Sequence, residues 1–145
     1  KERDMRRTTV MALVIIGAVA CVLSGCATTA QGPTDEEVVA KLTQECADTA
    51  MTKDIDKLMT YFSEKFTSYE YSDKADLASF LTSAKDSGML DDLKIDVTSA
   101  TTTIEKDTAI VEPVNISGGF GSASLTFHAA KEDGAWKISS LDIGY

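Results

Sequence analysis

The chain is short of the residue types that most often carry chemistry. Among 145 residues it has one histidine, three cysteines, one tryptophan and two prolines. A single histidine and few cysteines argue against a transition-metal centre, which needs several imidazole or thiolate ligands. Basic residues are also scarce, 14 Lys and Arg against 23 Asp and Glu. The lysines stand singly, with no basic stripe interleaved with aromatics, so a phosphate backbone has nothing to bind to. No apolar run reaches the ~20 residues that a membrane-spanning helix needs. The longest apolar run, Val10 to Leu23, is 14 residues.

That stretch follows Arg6-Arg7 and ends in Leu23-Ser24-Gly25-Cys26. A basic start, a short apolar middle and small residues at its end form the pattern of a secretory signal. Met5 is the natural start of that signal, with Lys1 to Asp4 standing upstream. Leu-Ser-Gly-Cys resembles the lipobox of bacterial lipoproteins. The resemblance implies cleavage after Gly25, a thioether-linked lipid on Cys26, and a place in the cell envelope on the extracytoplasmic side of a membrane. Two acyl chains give stable anchoring where one does not. In a two-membrane envelope, Ala27 after the cysteine favours the outer membrane over the inner.

Residues 1–25 hold four basic and two acidic side chains, so removing them leaves 10 basic and 21 acidic, a net charge of −11. Cys21 leaves with the signal and Cys26 carries lipid, which makes Cys46 the one free thiol and excludes an internal disulfide. Residues 26–33 (CATTAQGP) are small and aperiodic and read as a tether, reaching under ~30 Å at ~3.3–3.6 Å per residue. Residues 34–145 are the folded domain.

Thr34 and Glu37 form a capping box ahead of a first helix, with Val38, Leu42 and Cys46 on one apolar stripe. Ile55, Leu58, Met59 and Phe62 predict a second helix of about ten residues. Residues 66–71 (FTSYEY) read as an extended segment. Ser72 or Asp73 caps a third helix that Gly88 ends.

From Ile95 the period changes to two. One strand is expected from Ile95 to Ile104, and a second carries Ile110, Val114 and Ile116 inward, with Pro113 at an edge or bulge. A third alternates through Leu125 and Phe127, and Asp133-Gly134 is a hairpin turn. In the last strand, Trp136 to Tyr145, the apolar phase slips, so a bulge is expected at Ser139-Ser140. With Asp133-Gly134 as the turn, Ala129 pairs with Ile138 and His128 with Ser139, which puts the lone histidine on the outer face.

This order, with Lys57 to Phe66, Asp73 to Leu77 and Asp133 to Ile138 as the local likenesses, resembles the nuclear transport factor 2-like (NTF2-like, or SnoaL-like) superfamily. The resemblance implies an α+β cone: three N-terminal helices packed on a curved antiparallel sheet with a bulged C-terminal strand, enclosing a pocket. On it, the pocket lining is expected from Tyr61, Phe62, Tyr69, Tyr71, Phe80, Phe127 and Trp136. The fold hosts enzymes and binding domains alike, so it leaves function open.

The inward strand positions are apolar and offer no general base. The leading expectation is therefore a non-catalytic domain, without cofactor or metal, that binds a small hydrophobic ligand or a protein. A homodimer through the sheet face and an adaptor role in an envelope complex are the protein-binding forms. The alternative is a lyase- or isomerase-like enzyme using Glu64, Glu70 or Asp142 with a tyrosine donor. Gly119-Phe120-Gly121 lacks the rest of a phosphate-binding loop, and Asp54-Ile55-Asp56 lacks the glycine and distal glutamate of a calcium loop.

Overall fold

Thr34 opens the first helix as its sequence requires. Its hydroxyl accepts from the Glu37 amide at 3.2 Å, and Glu37 Oε2 accepts from the Thr34 amide at 2.9 Å. The computed structural model describes residues 32–144. The expected signal 1–25, Cys26 and the expected tether up to residue 31 lie outside them. The elements run α1 (Asp35–Met51), α2 (Ile55–Met59), α3 (Lys74–Asp86), β1 (Lys94–Asp96), β2 (Thr101–Glu105), β3 (Thr108–Gly118), β4 (Gly121–Glu132) and β5 (Ala135–Gly144).

All five strands form one antiparallel sheet. Its order is β1-β3-β4-β5, with β2 also paired to β3. β2 takes the first half of that edge (Glu105↔Thr108 to Thr101↔Glu112), and β1 the second half (Asp96↔Asn115 to Lys94↔Ser117). The single strand expected from Ile95 to Ile104 is thus two. Between them Thr98 turns back, its amide and hydroxyl both bonded to the Asp96 carboxylate at 2.8 and 2.6 Å.

Two bulges bend the sheet. The register of β3 on β4 shifts between Val111 and Val114, where Glu112 and Pro113 stand, because proline offers no amide to the ladder. The bulge also resets the alternation, so Val111 is buried and Ile110 is 38% exposed. Ile110, expected inward, therefore faces out and pairs with His128. The second shift falls between His128 and Ala129, at the Ser139-Ser140 bulge of β5. Ala129 does pair with Ile138, but the extra residue puts His128 opposite Ser140 rather than Ser139. The Asp133-Gly134 turn has φ of 50° and 82°, the paired positive values of a type I′ hairpin.

Helix α2 is half its expected length. Asp54 caps it on the Lys57 amide, and it ends at Met59 so that the chain can run along β5. The Ser63 amide donates to the Ile138 carbonyl at 2.8 Å, Ile138 donates to Tyr61 at 2.9 Å, and Thr67 donates to Ser139 at 3.2 Å. Residues 66–71, expected extended, contain no strand. The Ser68 amide donates to the Tyr71 carbonyl at 2.9 Å, which closes the segment into a turn.

The helices cover one face of the sheet. Val39, Cys46, Leu58, Phe66 and Leu77 from the helical side meet Val111, Val114, Phe127, Trp136 and Ile138 from the strands. Phe62 and Phe66 meet edge to face, ring centroids 5.3 Å apart. At the start of α1, Asp35 Oδ1 takes hydrogen bonds from Lys131 Nζ at 2.7 Å and Trp136 Nε1 at 2.9 Å, tying the helix to the β4–β5 hairpin. Both bonds hold the Asp35 carboxyl below its ordinary range.

Candidate functional site

Packing a bent sheet against three helices leaves an apolar cavity of about 350 Å³, within the ~300–1,000 Å³ range of ligand pockets. The small residues Ala47 and Ala50 of α1 and Ala123 of β4 leave the space that larger side chains would fill. Leu58, Leu77 and Leu81 line the helical side. Alternation brings Leu125 and Phe127 of β4 and Leu141 and Ile143 of β5 to the other. Cys46, Leu58 and Phe127 are buried, whereas Phe80, Met89 and Phe120 are 42, 43 and 40% exposed and mark the opening. Phe120 sits there because position 118 is glycine: a Cβ on it would stand 2.9 Å from Phe120 Cε1.

Among the described residues that line the cavity, none is charged, and the only polar side chains are the Cys46 thiol and the Tyr71 phenol. Burial pushes the Cys46 thiol up to about 12, so it is neutral and unreactive in the folded protein. Of the seven side chains expected around a pocket, Phe62, Tyr71, Phe80 and Phe127 line this one. Three do not. Tyr61 turns its hydroxyl to Thr49, which donates to it at 3.3 Å. Tyr69 is 96% exposed on the 66–71 turn, because that segment is not a strand and has no inner face. Trp136 is buried but spends its indole N–H on Asp35 at the opposite end of α1. Met89 and Phe120 escape a periodicity argument because they lie in connections; an aromatic between glycines at 118–121 is the one sequence signal for Phe120.

The three candidate carboxylates lie outside the cavity. Glu64 is 88% exposed and paired with Lys74 at 2.5 Å in a separate polar cleft, where Lys74 also donates to the Phe62 carbonyl at 3.1 Å. Glu70 is exposed on the turn. Asp142 alternates outward from Leu141 and Ile143, and its Oδ2 lies 2.8 Å from His128 Nε2 on the outer face. The expected alternative, a reaction run by one of these carboxylates in the cavity, needs one of them in its lining, and none is among the lining residues. The described residues contain no group of three or more His, Cys, Asp or Glu placed to hold a metal ion.

An α+β cone of helices packed on one bent antiparallel sheet defines the class of this domain, and solved structures share that fold. Neither a protein-family model nor a curated protein matches the sequence. Bd1075 of Bdellovibrio bacteriovorus superposes with a TM-score of 0.64 at 15% identity, over 73% of this chain and 40% of its own. This chain therefore spans less than half of that protein. An NTF2-like protein of unknown function from Pseudomonas putida KT2440 gives 0.62 at 10% identity, over 75% of this chain and 84% of its own. An NTF2-like protein from Cytophaga hutchinsonii gives 0.58 at 13% identity, over 77% and 98%. The domain has the NTF2-like fold, and identity this low speaks of fold alone.

Proposed function

We propose that the chain is a lipid-anchored protein of the bacterial envelope, held through Cys26, whose NTF2-like domain binds a small hydrophobic ligand. The observation that carries the binding is the cavity of about 350 Å³ with no charged lining residue and a rim of exposed Phe80, Met89 and Phe120. The anchor rests on Leu23-Ser24-Gly25-Cys26 and its apolar lead. Among the described residues no helix is long and apolar enough to cross a membrane. Palmitate labelling of cells expressing the chain and its Cys26→Ser variant tests the anchor: the label disappears with the cysteine, and a variant that keeps it refutes attachment there. Native mass spectrometry of the purified protein tests the cavity. A bound apolar species is expected, and its absence together with unchanged melting across a hydrophobe panel refutes binding.

Pairing of two copies through the outer sheet face is the second reading. Ile110 favours it, an exposed apolar side chain on a central strand beside His128. Ile110→Lys is then expected to convert dimer to monomer in light scattering, and a monomeric parent protein ends the idea.

A further inference from the structure

We infer that the ligand is a single-chain amphiphile of about twelve carbons, held tail inward with an uncharged head at the Phe80–Met89–Phe120 rim; this rests on the hydrophobe-binding reading above. Four observations converge on that class. The lining holds only two polar side chains, Cys46 and Tyr71, so a ligand with oxygens spread along its frame leaves them unpaired. A saturated chain has none to satisfy.

The apolar surface also does not stop at the opening. Three of the six large hydrophobics exposed among the described residues (Phe80, Met89 and Phe120) are cavity-lining residues at its mouth. An occupant that runs from the floor at Cys46 and Leu58 out past the rim covers them, whereas a compact ligand seated inside does not. Volume sets the length: at ~30 Å³ per heavy atom with its hydrogens, the share of a water in its liquid, the 350 Å³ cavity takes about a dozen carbons.

Charge sets the head. The end of α3 and the segment joining it to β1 carry Asp86, Asp91 and Asp92, with Lys85 and Lys94 flanking them and Asp91 paired to Lys53. Residues 26–145 carry 21 acids against 10 bases. The rim charges nearly cancel, so it is this summed negative field that repels an anionic head.

The test uses the full chain with Cys26→Ser, which keeps an acyl anchor out of the measurement, titrated calorimetrically below the micellar range. Monoacylglycerols of 8 to 14 carbons are the probes. Affinity is expected to rise about fourfold per methylene and to level off near twelve carbons, with dodecanoate at least tenfold weaker than its glycerol ester. Ala47→Leu, which fills the floor by three heavy atoms, moves the plateau about three carbons shorter. Phe120→Asp at the rim weakens every probe at least tenfold; thermal melts confirm that both variants fold. A sterol that binds as tightly as the twelve-carbon ester, or dodecanoate that does, overturns the chain-and-head assignment while leaving hydrophobe binding intact. No uptake of any probe overturns both. A dimer that Phe120→Asp dissociates, without uptake, puts a second copy on the rim and overturns the proposal.

Discussion

Phe66 offers the sharpest test of what holds the chain along β5. It is 1% exposed, lies outside any helix or strand, and packs edge to face on Phe62 at 5.3 Å. Truncation to alanine removes a fully buried ring and leaves a cavity that the hydrogen-bonded frame around Ser63 and Ile138 cannot collapse to fill. Such changes cost about 3–5 kcal/mol. Against a typical total of about 5–15 kcal/mol, that is about a fifth or more of the stability. With an unfolding entropy near 2.1 cal/mol/K per residue over about 110 residues, each kcal/mol lowers Tm by about 4 °C, so the expected fall is about 12–20 °C. Phe66→Leu retains most of the volume and is expected to cost about 1–1.5 kcal/mol. Urea denaturation of the parent, Phe66→Ala, Phe62→Ala and the double variant separates burial from ring pairing. The coupling between the rings is expected at about 0.5–1.5 kcal/mol. A loss below 1 kcal/mol in Phe66→Ala, at unchanged m-value, refutes the reasoning, because the segment would then be held by its backbone bonds alone.

Three further outcomes follow from local features. The Cys46 thiol, pushed by burial from 9.0 to about 12, keeps its proton in the folded state while the unfolded chain loses it. Stability therefore falls as pH rises above about 9, and native protein at pH 8 resists alkylation; modification at the rate of a free thiol contradicts the burial. Asp35, held below its usual value by Lys131 and Trp136, contributes stability above pH 3.8 that disappears as pH falls through its native value. Asp35→Asn removes that dependence, and parallel plots of urea midpoint against pH for parent and variant count against it. Gly134→Ala places a Cβ in open space at φ 82°, so its cost is conformational alone, about 1–2 kcal/mol, read from the melting curve; no loss means the turn relaxes to another type.

How far the sequence reached depended on whether a signal was local. The Thr34–Glu37 cap, the Asp133-Gly134 turn and the slipped phase of β5 are set by neighbours within a few residues, and all three stand where the chain predicts them. The NTF2-like architecture followed from that series of elements. Ile110 went to the wrong face because Pro113 marks a bulge without saying which side of it changes phase. The extended reading of 66–71 weighed aromatic content, yet Phe66 is there to fill the core, and Tyr69 stands in solvent on the turn that follows. The cavity was legible only in part, since its strand walls are periodic while its rim comes from Met89 and Phe120 in connections. Trp136 shows the remaining limit: an aromatic on the inner face serves packing or ligand according to partners far away in the chain, here Asp35.

The covering of β5 by residues 61–67 bears on how this protein behaves in a crowded compartment. β5 is the last strand in the sheet order, and a terminal strand with free amides and carbonyls is a template on which another chain can polymerise. Here Ile138 has both its outward-facing backbone groups already engaged, one with Tyr61 and one with Ser63. An incoming strand must first strip away a segment pinned by Phe62 and Phe66. The aromatic pair that fills the core thus also guards against aggregation, and loosening it is expected to shorten the protein's soluble lifetime before any cavity function is lost.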